Sequence, residues 1–133
     1  MPILPNGGGG YQIGTGSASE ARLIVQGAPT ALTGAATATA AQLANGLFTF
    51  NGTAGNLTLP TVAELEAGIP NATRVDIAFD FCIINIDATT DDVTVAAGTG
   101  WTLVGNMAVT ETTSGRFRAR KTGVGTWTLY RLS

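Results

Sequence analysis

Apolar positions along this chain come in short alternating runs broken by Gly, Asn, Thr and Pro, which is the pattern of strands joined by tight turns. From Ala36 the run Ala-Thr-Ala-Thr-Ala alternates as a strand does. Leu47–Phe50 and Asn56–Leu59 follow, the second stopped by Pro60. One helix is predicted next: Thr61 and Glu64 form a Thr-x-x-Glu capping box, Val62, Leu65 and Ile69 share a face, and Gly68 then Pro70 end it. Ala41 to Ala44 reads as at most one helical turn, closed by Asn45-Gly46. Residues 74–87 predict the longest strand, with Val75, Ile77, Phe79, Phe81 and Ile83 on one face and Asp76, Ala78 and Asp80 on the other. The alternation breaks at Ile83-Ile84, which implies a strand covered on both sides there, or a bulge. Val93–Ala96 reads as its hairpin partner, and further strands are expected at 101–104, 107–111, 115–121 and 126–132. The fold class expected is all-β, an antiparallel sandwich or barrel with one short helix and no visible repeat period.

Residues 1–30 stand apart. Pro2, Pro5, the glycines Gly7 to Gly10, Gly14 and Gly16 give no means of packing a core. Only Leu23, Ile24 and Val25 could add a short strand or hook, so this stretch reads as an extended N-terminal arm, either disordered or laid on a neighbour. Two parts are therefore expected: the Gly/Pro-rich arm, 1–30, and a β-sandwich domain, 31–133.

Composition narrows the function classes. Among 133 residues there is no histidine and one cysteine, and charged residues make up 12% of positions, half the usual share, while hydrophobic content is an ordinary 44%. General acid–base work near neutral pH relies first on His, so a structural or binding role leads over catalysis. The formal net charge of -2 and the pI of about 4.8 argue against nucleic acid as main partner. The start lacks a basic and an apolar signal region, and no apolar run approaches a membrane span, so neither secretion nor a membrane partner is expected. Cys82, inside an apolar stretch and with no His to activate it, reads as a small buried hydrophobe. The Asn-x-Thr triplets at Asn51, Asn56 and Asn71 read as turn chemistry.

Candidate chemistry is thin. The stretch Gly-Gly-Gly-Gly-Tyr-Gln-Ile-Gly-Thr-Gly-Ser lacks the Gly-Lys-Ser/Thr ending of a phosphate loop and reads as flexible arm. Asp91 and Asp92 could hold calcium in a turn, although solvated turns often look the same. Asp76 and Asp80 would lie roughly 13 Å apart by strand rise, too far for a glycosidase pair. No cofactor is expected. Arg116, Arg118 and Arg120 fall on one strand face, with Phe117 and Ala119 on the other. Five of the seven basic residues lie between 116 and 131, while 64–92 holds seven acids against Arg74 alone. This separation of sign suits an interface, and a solvated outer face accounts for it equally well. Trp101, Trp127 and Tyr130 read as a sugar-stacking platform or, more commonly, as core.

The stretch TATAAQLANGLFTFNGTAGNLTLPTVAELEAGIP, followed by FDFCIINIDATTDDVTVAAGTGWTLVGN, resembles a segment of tailed-phage virion proteins. It covers about residues 36–106, and its pattern is compositional, without a catalytic signature. What the resemblance implies is a head-stabilising capsid decoration, or cement, protein of a tailed bacteriophage. That family's members are small β-sandwiches, often jelly-roll-like, usually homotrimers, bound to the major capsid protein outside the head at three-fold axes. The chain would then be made in the host bacterial cytoplasm and act in the virion. The expected capsid or subunit interface residues are Leu23, Ile24, Val25, Arg116, Arg118 and Arg120. The alternative is a receptor- or carbohydrate-binding module of a head or tail fibre, although no coiled coil or shaft accompanies it. A hydrolase with displaced carboxylates is the third possibility, and requires a deep pocket holding two acids.

Overall fold

A computed structural model describes residues 23–133. Ten strands and two helices follow one another as β1 (Thr30–Leu32), β2 (Ala36–Thr37), α1 (Ala40–Asn45), β3 (Leu47–Phe50), β4 (Gly55–Thr58), α2 (Val62–Gly68), β5 (Ala78–Asn85), β6 (Val93–Ala96), β7 (Trp101–Val104), β8 (Ala108–Val109), β9 (Ser114–Gly123) and β10 (Thr126–Arg131). They form a six-stranded sheet, β1-β3-β5-β9-β10-β7, and a four-stranded sheet, β2-β4-β6-β8.

The two-sheet, mostly β architecture agrees with the expectation, but the sheets are mixed and not purely antiparallel. The chain alternates between them, so β1, β3 and β5 lie parallel in one sheet while β2, β4 and β6 lie parallel in the other. Thr30, Phe48 and Ile83 stand in one row, as do Ala36, Leu57 and Val95. These are three successive coils. Each passes from the large sheet to the small one, and α1 or α2 brings the chain back after the first two. Parallel neighbours need such a crossover, which a hairpin turn cannot provide. Val93–Ala96 is accordingly not the hairpin partner of β5; it belongs to the other sheet, paired with β4 and β8. Antiparallel pairing enters with β8 along β6 in the small sheet, then with β9 along β5 and β10 along β9 in the large one, while β7 lies parallel to β10 at its edge. No repeat period shows because the coils differ in length: α2 and the segment after it lengthen the second.

Local signals act as expected at α2, where Thr61 Oγ1 accepts the Glu64 N–H at 3.2 Å and Glu64 Oε1 accepts the Thr61 N–H at 3.1 Å. A second helix was not expected. Ala36–Thr37 alone is strand; Thr39 starts α1 with a capping box of its own to Gln42, and Gly46 ends it at φ 81°. At that angle a Cβ would be strained, so glycine suits the position.

The core lies between the sheets. Phe81 stacks on Phe117 with centroids 5.2 Å apart and meets Phe48 edge-on at 5.8 Å. The break anticipated at Ile83-Ile84 does not occur: Ile83 is buried, Ile84 and Ile86 face outward, and Asn85 and Asp87 take the inward positions. Their polar groups are satisfied by turns. Asn85 Nδ2 donates to the Val109 and Asp91 carbonyls at 3.0 and 2.9 Å. Asp87 accepts the Gly52 N–H at 3.1 Å and the Thr89 N–H at 2.7 Å. Asp91 accepts the Ala54 N–H at 3.2 Å. The acids at this end thus tie the third coil to the turn of the second.

Candidate interaction surface

Pairing register sets the outward rows of the six-stranded sheet. One row runs Thr49, Ile84, Ser114; the next joins Leu47, Cys82 and Arg116; a third joins Asp80, Arg118 and Tyr130 and reaches Val104 on the edge strand β7; the fourth joins Ala78, Arg120, Thr128 and Thr102. Arg116, Arg118 and Arg120 do share one outward face, as their spacing predicts. They are not a free basic stripe. Arg118 clamps Asp80 with two bonds, Nε to Oδ1 at 2.7 Å and Nη2 to Oδ2 at 3.0 Å, and Arg116 Nη2 reaches the same carboxylate at 2.9 Å. Arg120 donates to Asp76 at 2.7 Å and, through Nε and Nη2, to the Tyr130 hydroxyl at 3.0 and 2.7 Å.

The separation of charge along the sequence is therefore undone in space. Asp76 and Asp80 belong to the acid-rich stretch, yet β5 lies against β9 and brings them onto the arginines. Hydrogen bonding to Arg118, reinforced by Arg116, holds the Asp80 carboxyl below its ordinary range, against a smaller opposing effect of burial. The Arg118 guanidinium is raised in turn by Asp80, and that of Arg120 by the Tyr130 hydroxyl and then Asp76. Asp76 lies before β5 at φ 74° and not within a strand. What the face offers a partner is a nearly neutral ionic stripe in fixed geometry. Apolar side chains flank it: Leu47, Cys82 and Ile84 on one side, Tyr130, Val104 and Leu132 on the other. Cys82 is half-buried on this outer face and is not part of the core.

Trp101 and Trp127 are core residues, tilted against each other with centroids 5.9 Å apart, and Trp101 Nε1 donates to the Pro60 carbonyl at 2.8 Å. Only Tyr130 reaches the outer face, so the three rings form no sugar platform. Leu23, Ile24 and Val25 make no strand and are exposed. Most of the expected arm, residues 1–22, lies outside the described residues, and its last position, Thr30, already belongs to β1.

A concave feature lies where α2 gives way to β5. Ile69, Ala72, Ile77, Phe79 and Trp127 line a half-open cavity of about 180 Å3, with Asn71 and Ala78 completing it. Neither the acid partners of the arginines nor this cavity was legible in the sequence; both come from register and from the close of the second coil. Among the described residues no three His, Cys, Asp or Glu side chains gather as a metal site, and Asp91 spends its carboxylate on the Ala54 N–H and the Thr89 hydroxyl. No protein-family model, no curated protein and no solved structure matches this chain.

Proposed function

We propose that this chain is a non-enzymatic structural protein of a tailed-phage virion, a decoration protein that binds outside the head and clamps adjacent major capsid protein subunits. The observation that carries the reading is the open face of the six-stranded sheet, where a pre-formed Arg–Asp stripe lies between exposed apolar side chains. Five inter-strand spacings and the length of the ten-residue β9 bound that face at roughly 800 Å2. One partner contributes about that area to a protein–protein interface of ordinary size. Parallel strands are usually covered on both faces, and among the described residues no strand or helix packs over the outer face of β1, β3 and β5.

In this reading the sandwich, jelly-roll-like in its two facing sheets though mixed in strand direction, assembles as a homotrimer at three-fold axes of the head. The N-terminal arm reaches a neighbour. Three modest contacts made together raise apparent affinity by about 10²–10⁴, enough to brace a shell without chemistry. The test is co-sedimentation of the purified chain with heads assembled from the major capsid protein alone. Saturable binding at a fixed ratio to capsid subunits is expected; the absence of binding at any chain concentration overturns the reading.

A further inference from the structure

Apart from the apolar side chains on the outer sheet face, the described chain shows solvent one convex and one concave apolar feature. Leu23, Ile24 and Val25 form a segment outside any strand or helix, exposed at 62%, 85% and 94%. Three adjacent aliphatic side chains held in water are unusual unless something covers them. Their root is fixed. Gln26 Nε2 donates to the Asn45 carbonyl at 2.7 Å, and Asn45 Nδ2 donates back to the Ala28 carbonyl at 2.9 Å. The segment thus leaves the body at a defined point and can span at most roughly 10 Å before that anchor.

The concave feature is the cavity between the end of α2 and the start of β5. Its walls, Ile69, Ala72, Ile77, Phe79 and Trp127, offer hydrocarbon, and Asn71 offers one amide. An apolar cavity of about 150 Å3 holds a benzene molecule, so about 180 Å3 suits one or two aliphatic side chains. Ordinary small-molecule sites start near 300 Å3. Sugars and anions would lose hydration against walls that return almost no hydrogen bonds. An amide at the mouth, with donor and acceptor together, matches the backbone of an extended segment.

We propose that the Leu23–Val25 segment of one copy seats in the Ile69–Phe79–Trp127 cavity of the next, making a head-to-tail contact between identical chains. Such a contact is heterologous: it closes into a ring if the rotation allows and otherwise runs on as a filament. The inference rests on the assembly reading above for the ring, and it names the surfaces that would form it. The anchored root keeps the ordering cost low, since only the three docking residues remain to be fixed.

The test measures mass across a concentration series by light scattering and sedimentation, using the full chain and two variants. Ile24→Asp with Val25→Asp removes the convex partner. Asn71→Phe fills the mouth of the cavity from an exposed position off the ionic face, and circular dichroism confirms that both variants fold. The wild type is expected to assemble, and each variant to run at the 13.5 kDa of a single chain. Mixed together, they should form a dimer and nothing larger, because one intact segment then meets one intact cavity. Tryptophan emission, to which cavity-lining Trp127 contributes beside Trp101, should shift in the wild type as it assembles and stay constant in each variant alone.

A wild type that assembles while both variants keep its mass overturns the docking and leaves the capsid reading standing. A wild type that stays monomeric also overturns it, with two cases separated by further readouts. If tryptophan emission then differs from the wild type in Ile24→Asp with Val25→Asp, the segment occupies the cavity of its own chain. If head binding is lost in the cavity variant alone, the cavity holds a segment of the shell. Loss of head binding with wild-type assembly retained counts against the capsid reading and not against the docking.

Discussion

Lys121 is the residue whose position is least expected from its type. It follows three outward arginines by one place and so points inward, where its side chain is 8% exposed. Glu66 of α2 meets the ammonium and also accepts the Trp127 indole N–H at 3.1 Å, while the Lys121 Nζ stands 5.9 Å from the Trp127 ring centre. Hydrogen bonds from Lys121 and then Trp127 hold the Glu66 carboxyl below its ordinary range, with burial opposing them. A depressed folded-state value means that this stabilisation is complete above the unfolded value of about 4.3 and is lost as the pH falls through the folded one. Glu66→Ala leaves a buried cation and an unpaired indole N–H, and should cost about 3 kcal/mol in urea denaturation at neutral pH. Lys121→Met leaves only a part-exposed carboxylate and should cost under about 1 kcal/mol. Equal losses would refute the asymmetry, and Glu66→Gln should flatten the acid limb of the stability profile. Thr112, β-branched yet at φ 58°, carries backbone strain. Relief of that strain in Thr112→Gly should outweigh the added chain entropy by under about 1 kcal/mol, visible as a small rise in Tm.

At the scale of elements, caps and turns explain where the coils begin and end. Both helices start on a Thr capping box, and the one at Thr39 carries its signal in Gln42 as plainly as Thr61 does in Glu64. The alternation of the preceding Ala-Thr run obscures it, because strand and helix start compete for the same residues. Stacking of the coil turns depends on close backbone approach. A Cβ on Gly52 would lie 2.1 Å from the Thr33 carbonyl oxygen, a contact made of backbone on both sides. Gly52→Ala should therefore cost about 2–3 kcal/mol, by the usual penalty for overpacking, measured as a fall in the urea midpoint with unchanged slope. An unchanged midpoint would mean that the turns of the first two coils separate freely. Asn85 and Asp87 continue the inward alternation of β5 with polar groups, which is why hydropathy alone misreads that end of the strand.

For the whole molecule, the decisive feature is that β5 and β9 run side by side. Residues dozens of positions apart become one paired stripe, three arginines on two aspartates, and a stripe already paired can meet a partner with little desolvation of free charge. Replacing Arg116, Arg118 and Arg120 with Ser should leave the thermal midpoint within a few degrees, since exposed ion pairs contribute about 0–1 kcal/mol each. Co-sedimentation with heads should be abolished. The arginines would then be counted as interface residues; binding that survives the triple change removes them from the interface and moves attention to Ile84, Ile86 and Val104.

By itself the sequence determined the two-faced strands, the capped α2, the common face of the three arginines and the core role open to the tryptophans. Each follows from local spacing, because side chains alternate along a strand with period two whatever lies beside it. Only the tertiary structure decided strand direction and neighbour, since the same alternation serves parallel and antiparallel pairing alike. That choice placed Asp76 and Asp80 on the arginines, sent β6 to the second sheet, turned Cys82 outward and opened a cavity at the end of α2. These outcomes depend on which residues meet across the fold, and the spacing of residues along one strand carries no record of its neighbour.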